Sequence, residues 1–319
     1  NENSPAHRSP EKNSPEENSP EENSPGRPLI IGEVLFDTFP DGRRVLGGAP
    51  FNVAWNAHGL GLRPQFISAV GEDEPAAEIR QKMTDHGMDL AGLQTSSQRG
   101  TGKVDVTFGP DREPQYEIVP DQAYDFVQPQ PILDWLDDGN RESISMVYHG
   151  SLIWRNAESR SAVAAIRRHV EAPIFVDLNV RLPWFEESWL PELLTGVRWL
   201  KLNKDELAQL SGQSVESEDE IVAAVKTLKQ TYACESFFVT SGSKGAWHIA
   251  ADREVHFAAA PQPEKLVDTV GAGDAFSAAT IVGLSRSWDM QQVLDYAVAH
   301  AARVCGINGA TTDQAGFYQ

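Results

Sequence analysis

Hydrophobic and polar positions alternate in two different periods along most of this chain. Short apolar runs recur: "LIIGEVLF", "PQFISAVG", "SMVYHG", "PIFVDLNV", "WLKLN" and "SFFVTSG". Their length and branched or aromatic content predict buried strands. Between them stand segments with apolar residues three and four positions apart, the spacing of a helix with one buried face. "PAAEIRQKMTDHG" puts Ala76, Ile79 and Met83 on one such face, and Gly87 fits the helix stop. "NVAWNAHGLG", "ESRSAVAAIRRHV" and "SEDEIVAAVKTLKQ" read as helices too, the last with an acidic first turn that suits the helix dipole. Two helices close the chain, the second running from Ser287 through Met290, Val293, Leu294, Ala297, Val298 and Ala301 to Val304. Strand alternating with helix predicts a mostly parallel α/β sheet covered on both faces.

Two segments break that rhythm. In "GTGKVDVTFGPDREPQYEIV", Val104, Val106 and Phe108 alternate before a Gly-Pro-Asp turn and a second strand, which predicts a hairpin. Together with the chain around "FPDGRRV" it predicts a small β flap, built from about residues 36–46 and 101–119, beside the main sheet. "AWHIAADREVHFAAA" predicts a second hairpin. Residues 1–28 follow neither period: "NSPEENSPEENSPG" repeats a five-residue unit with no apolar residue to bury. That stretch reads as a disordered, solvated tail whose Ser-Pro pairs are candidate phosphorylation sites, with one domain over 29–319.

Charge narrows the partners. With 319 residues and a formal net charge of −19, the chain lacks the clustered Lys and Arg that nucleic acid or an anionic membrane requires. A small anionic ligand in a locally positive pocket remains open. No apolar run is long enough to cross a membrane, and the first residues are polar, unlike a secretory signal. Cys234 and Cys305 fall in no CxxC or Cys/His array and read as reduced thiols. A soluble cytoplasmic protein is the expectation. The histidines show no metal-binding spacing.

The candidate chemistry sits in "DTVGAGDAF", Asp268 to Phe276. Phe276 at the third glycine position excludes the dinucleotide pattern GxGxxG, and neither this segment nor "SGSKG" matches GxxxxGK[ST]. Gly271, Ala272 and Gly273 put small residues where a helix begins, and the free amides of a helix N-terminus attract oxyanions. Asp274 beside them suits phosphoryl transfer to a hydroxyl: the carboxylate takes the proton while the amides hold phosphoryl oxygens. The alternative is that Asp274 simply favours a helix start.

These residues resemble the C-terminal signature of the PfkB, or ribokinase-like, carbohydrate kinases. "GGAPFNVA", Gly47 to Ala54, is similar to the N-terminal signature, and "NKDE", Asn203 to Glu206, to the NxxE motif. The resemblance runs from Leu29 to the C-terminus. It implies a ribokinase-like three-layer sandwich with a small β-sheet lid, and ATP-dependent phosphorylation of a sugar hydroxyl. It implies Asp274 as base and the amides of Gly271, Ala272 and Gly273 as the anion hole. It assigns Asn203 and Glu206 to Mg²⁺, acting through water, and to the ATP phosphates, with Thr240, Gly242 and Gly245 along the nucleotide. Asp268 and the carbonyl of Val270 are implied at a monovalent cation such as K⁺. Asp37, Gly47, Gly48, Asn52 and Arg181 are implied on the sugar side. Asp177 and Asn179 belong to "DLNVR", which is similar to the family's DPNxR segment with Leu178 in place of proline.

"GEVLFD" and "GGAPFN" look most like the fructokinase group, so D-fructose is the expected acceptor. Ribose, another hexose, 2-keto-3-deoxygluconate or a nucleoside stay open, as does a non-catalytic sugar- and ATP-binding member. Lids that meet across a homodimer are a further implication of the resemblance.

Overall fold

The computed structural model of this protein describes residues 25–109, 114–250, 254–263 and 265–319. Most of the repeat tail, and Pro110 and Asp111 of the Gly-Pro-Asp turn, lie outside the described residues.

The larger sheet contains β1 (Arg27–Ile31), β4 (Gln65–Val70), β5 (Leu93–Thr95), β8 (Ile144–Gly150), β9 (Ile174–Asp177), β10 (Val197–Asn203), β11 (Ser236–Thr240), β12 (Ala246–Ala250) and β13 (Val255–Ala258). Their order is β13-β12-β11-β10-β9-β8-β1-β4-β5. From β11 to β5 all neighbours run parallel, and the β12/β13 hairpin closes one edge antiparallel. A second sheet, in the order β3-β2-β6-β7, holds β2 (Leu35–Thr38), β3 (Arg44–Gly47), β6 (Gly102–Phe108) and β7 (Pro114–Ile118). It consists of two hairpins joined by the parallel pair β2/β6.

Helices cover both faces of the larger sheet. One layer holds α1 (Ala49–Gly59), α2 (Glu74–His86), α8 (Ala272–Ser285) and α9 (Met290–Val304). The other holds α3 (Gln130–Trp135), α4 (Ala157–His169), α5 (Leu190–Leu193), α6 (Lys204–Ser211) and α7 (Glu218–Thr231). The strand pattern explains this three-layer sandwich. In β11, Phe238 packs into the α1/α8 layer while Phe237 and Val239 pack into the α6/α7 layer. Both faces bury apolar side chains, so such a strand reads as a continuous apolar run. Helix α8 is buried at every position from Ala275 to Gly283, as expected of a helix apolar all round.

The structure corrects four expectations. "LIIGEVLF" is two strands in different sheets. The chain leaves the larger sheet at Gly32, where a Cβ would lie 2.2 Å from Pro50 Cγ. A side chain there would collide with the start of α1, so the turn needs glycine. The first strand begins at Arg27, inside the segment read as tail, and its guanidinium sits 2.6 Å from Asp89. The last helix begins at Met290, not Ser287. Asp289 caps it through the Gln292 amide, and Ser287 is left-handed with φ 55°. Finally, α3 and α6 were not anticipated. Among the described residues, no helix is long and apolar enough to cross a membrane.

Phe175, fully buried, lies edge-on to Tyr148 at 5.4 Å and near Phe238 at 5.9 Å. Phe175→Ala should lower stability by about 3–5 kcal/mol, read as an earlier urea midpoint at unchanged far-UV dichroism.

Candidate active site

Parallel sheets bind ligands beyond the carboxyl ends of their strands. Here β9 ends on Asp177, β10 on Asn203 and β11 on Thr240, and Asn203 pairs in register with Thr240. The glycine turn of "GAGD" opens α8. Gly271 has φ 77°, and a Cβ on it would lie 2.1 Å from that of Ala310, so only glycine fits. No side chain caps this helix, which leaves its first-turn amides available to an anion.

Asp274 stands in that first turn and accepts a hydrogen bond from Asn52 Nδ2 at 2.8 Å. Burial pushes its carboxyl up to about 6. The Asn52 hydrogen bond and the Lys201 ammonium pull the other way, Asp177 adds to the rise, and Arg181 opposes it. Asp274 retains partial solvent exposure despite the protein packed around it.

Behind the glycine turn is a buried ion pair. Lys201 Nζ donates to both oxygens of Asp177, at 3.0 and 2.8 Å. The hydroxyls of Ser277 (2.8 Å) and Tyr148 (3.2 Å) donate to Asp177 Oδ2. Burial disfavours the Lys201 ammonium, but Asp177 outweighs that and its pKa rises. A Cβ on Gly273 would come within 3.1 Å of Lys201 Nζ, so the lysine lies directly under the turn.

The small sheet and α1 supply the sugar-side candidates. Asp37 is in β2, and Gly47 ends β3, where a Cβ would lie 4.0 Å from Asp37 Oδ2. Gly48 precedes α1 with φ 108°, its backbone packed on the Glu33 carbonyl, and Asn52 lies one turn further on. Burial raises the pKa of Asp37 and pushes Glu33 up to about 7. Arg181, on the exposed loop after β9, is an opposing charge for Asp37, Glu33 and Asp274 alike. The structure thus links Gly47 to Asp37 and Asn52 to Asp274, and brings the charge of Arg181 within reach of Asp37, Glu33 and Asp274. Asn179, at φ 42°, begins the turn that leads to Arg181.

The nucleotide-side candidates follow the same strand ends. Asn203 and Glu206 form a capping box at the start of α6: Asn203 Oδ1 accepts from the Glu206 amide, and Glu206 Oε2 from the Asn203 amide, each at 2.8 Å. Glu206 Oε1 also accepts from the Val180 amide at 2.7 Å. Both oxygens are thus anchored to backbone in a largely buried carboxyl. Gly242 and Gly245, both at positive φ, flank the short turn after Thr240, and Lys244 is exposed. Asp268 accepts from the amides of Val270 (3.0 Å) and Gly309 (3.2 Å), which ties it to the C-terminal segment. Among the described residues, no group of three or more His, Cys, Asp or Glu is arranged to hold a metal.

Sequence reasoning missed Lys201, Tyr148, Ser277 and Glu33. Lys201 in "WLKLN" carried a usable signal, a lone charge inside a buried strand, because such a charge requires a partner.

A family model described as pfkB family carbohydrate kinase matches residues 32–315. The chain belongs to the pfkB family of carbohydrate kinases. It is therefore a phosphotransferase with an alcohol group as acceptor, and its fold is ribokinase-like. Aminoimidazole riboside kinase of Salmonella typhimurium is 29% identical over 298 residues, covering 88% of each chain. Fructokinase of Klebsiella pneumoniae is 29% identical over 275 residues, 82% of this chain and 85% of that one. A fructokinase double mutant from Vibrio cholerae O395, solved with fructose, ADP and a potassium ion, superposes with a TM-score of 0.73 at 25% identity, covering 93% and 98% of the two chains.

Lys201→Met should leave the Asp177 carboxylate buried without its counter-charge and cost about 3–5 kcal/mol in urea unfolding. Adding Asp177→Asn should recover part of that loss; no recovery would argue against a direct ion pair.

Proposed function

We propose that this pfkB kinase transfers the γ-phosphoryl group of ATP to a neutral sugar, D-fructose first, giving fructose 6-phosphate. The observation that carries the phosphoryl-transfer reading is Asp274, hydrogen-bonded to Asn52 beside the uncapped N-terminus of α8. Asp274 takes the proton of the attacking hydroxyl. The amides of Gly271, Ala272 and Gly273 hold the phosphoryl oxygens as charge builds on them. Asp37, Gly47, Gly48, Asn52 and Arg181 orient the sugar, and Thr240, Gly242 and Gly245 border the nucleotide.

Mg²⁺ fits the donors present. This ion keeps several waters and phosphate oxygens and needs only one or two carboxylates from protein. Asn203 and Glu206 would hold its waters, and the ion would neutralise charge on the ATP phosphates. Asp268 and the Val270 carbonyl are the residues for K⁺, an ion bound in the Vibrio fructokinase structure. The small sheet acts as a lid that excludes water, so that ATP is not hydrolysed. Phe108 and Tyr116, both 54% exposed on its strands, suit pairing of two lids in a homodimer. The free thiols of Cys234 and Cys305 fit a cytoplasmic setting.

Charge supports a neutral acceptor. Glu33, Asp37 and Asp274 are carboxyls raised by burial; Arg181 opposes the rise at all three, with Arg155 also opposing it at Glu33 and Lys201 at Asp274. An anionic sugar acid such as 2-keto-3-deoxygluconate would add a further negative charge to that group. Fructose leads because "GEVLFD" and "GGAPFN" have the fructokinase form. The similar aminoimidazole riboside kinase supports a riboside as the second reading.

ADP release with Mg·ATP should be fastest on fructose in a panel with other hexoses, ribose, 2-keto-3-deoxygluconate and nucleosides. A faster riboside would replace the acceptor and keep the chemistry. Asp274→Asn should fold and bind sugar but lose at least about 10²-fold in turnover; near-normal turnover would refute its role as base. The pH profile gives a second check. Asp274 accepts a proton only when ionised, so kcat/KM should fall about tenfold per unit below pH about 6 and level off above it.

A further inference from the structure

Buried polar atoms are nearly always paired. Three that are not belong to residues linked to Asp274 or to one another: Glu33 Oε2, Asn52 Oδ1 and Arg155 Nη1. Asn52 already spends its amide N–H on Asp274, so its free oxygen lies within one side chain's width of the candidate base. Glu33 is 4% exposed and stands where the chain passes from β1 to β2. Its carbonyl packs on Gly48, at the start of the helix that carries Asn52.

Arg155 approaches from the other side. It forms a bidentate pair with Asp125, at 2.7 and 2.6 Å, and donates to the Tyr124 hydroxyl and the Val119 carbonyl, each at 2.8 Å. Tyr124 packs on Gly102, where a Cβ would meet the Val34 carbonyl at 2.4 Å and Tyr124 Cε1 at 2.9 Å. A short packed path thus runs from Arg155 through Tyr124 and Gly102 to Val34, the neighbour of Glu33. Arg155 and Glu33 also affect each other's ionisation directly, and Glu33 affects that of Tyr124 and Tyr148.

A buried carboxyl with an open oxygen is expensive to leave empty. The arginine beside it cannot explain it as an ion pair, since the Arg155 partner is Asp125. What remains is a ligand group. We propose that Glu33 reads the acceptor: its open carboxyl oxygen hydrogen-bonds a hydroxyl of the bound sugar other than the one phosphorylated. Arg155 is a positioning residue that fixes Tyr124 and the end of β7 around it. This assignment rests on the kinase reading above and deepens it by requiring a polyhydroxylated acceptor. Burial holds the Glu33 carboxyl near neutrality, so it both donates and accepts, which matches a hydroxyl that does both.

The test is a double-mutant cycle between protein and sugar. Wild type, Glu33→Ala and Glu33→Gln are assayed on the best acceptor and on its monodeoxy analogues. ATP KM and thermal unfolding serve as fold controls. In wild type, one deoxy analogue should lose about 10–100-fold in kcat/KM, the effect of a buried polar group left unpaired. In Glu33→Ala that one penalty should collapse to within about 2-fold, while penalties at other carbons persist. Sugar KM should rise at least about 10-fold with ATP KM unchanged. If Glu33→Ala fails to fold, Glu33→Gln carries the test, since its amide keeps the shape but loses the acidic proton: the same penalty should shift selectively by about 3-fold or more. Unchanged penalties at every carbon in the folded variants would overturn the role of Glu33 and leave the kinase reading intact. A wild type inert on every acceptor would overturn both.

Discussion

The site is organised around one buried ion pair, Lys201 with Asp177. Taking two charges out of water is costly unless every remaining lone pair and proton finds a partner. Here the lysine spans both carboxylate oxygens, and Ser277 and Tyr148 complete Oδ2. The four residues come from β8, β9, β10 and α8, so one carboxylate ties three strands to the helix that the glycine turn opens. Gly273 has no side chain because the ammonium occupies that space. The glycine turn proposed as the anion hole is thus packed against a side chain that contributes nothing to the signature motif.

A second link joins the two halves of the site. Asn52 and Asp274 are 222 positions apart, yet their side chains hydrogen-bond, bringing the N-terminal ends of α1 and α8 together. Both ends begin at a glycine of positive φ, Gly48 and Gly271, where the backbone approaches other chain too closely for a Cβ. Helix N-termini carry partial positive charge, so their convergence offsets part of the negative charge of the buried carboxyls. Because α1 follows β3 after a single residue, the small sheet is directly continuous with the helix that carries Asn52.

Much of this was legible in the sequence, for identifiable reasons. Continuous apolar runs alternating with segments of period three-to-four reveal an α/β sandwich, because both faces of its sheet are buried. The glycine turn before Asp274 is local chemistry and shows directly. The break inside "LIIGEVLF" does not, since a continuous apolar run looks the same in one strand or two, and Gly32 was its only mark. Lys201 was overlooked because its partner is 24 residues away on the neighbouring strand. Helix α6 hid behind its own motif: Asn203 and Glu206 were read as metal-organising residues, and the same pair at that spacing is also a capping box.

Electrostatics sets what kind of base Asp274 can be. A fully solvated aspartate near its ordinary pKa would be ionised at neutral pH but too weak to draw a proton from a hydroxyl. Burial strengthens it, and Asn52, Lys201 and Arg181 limit the rise, so that it stays ionised above about pH 6. Those three restraints differ in kind. Asn52 and Lys201 are fixed by hydrogen bonds within the packed layers, whereas Arg181 sits on an exposed loop. In the proposed reaction the negative charge of ATP would compete for Arg181 and weaken that restraint on Asp274. In that reaction the base would therefore become stronger when a phosphoryl group is in place to use the proton transfer, and the amides of Gly271 to Gly273, which do not titrate, would hold that group across the whole pH range.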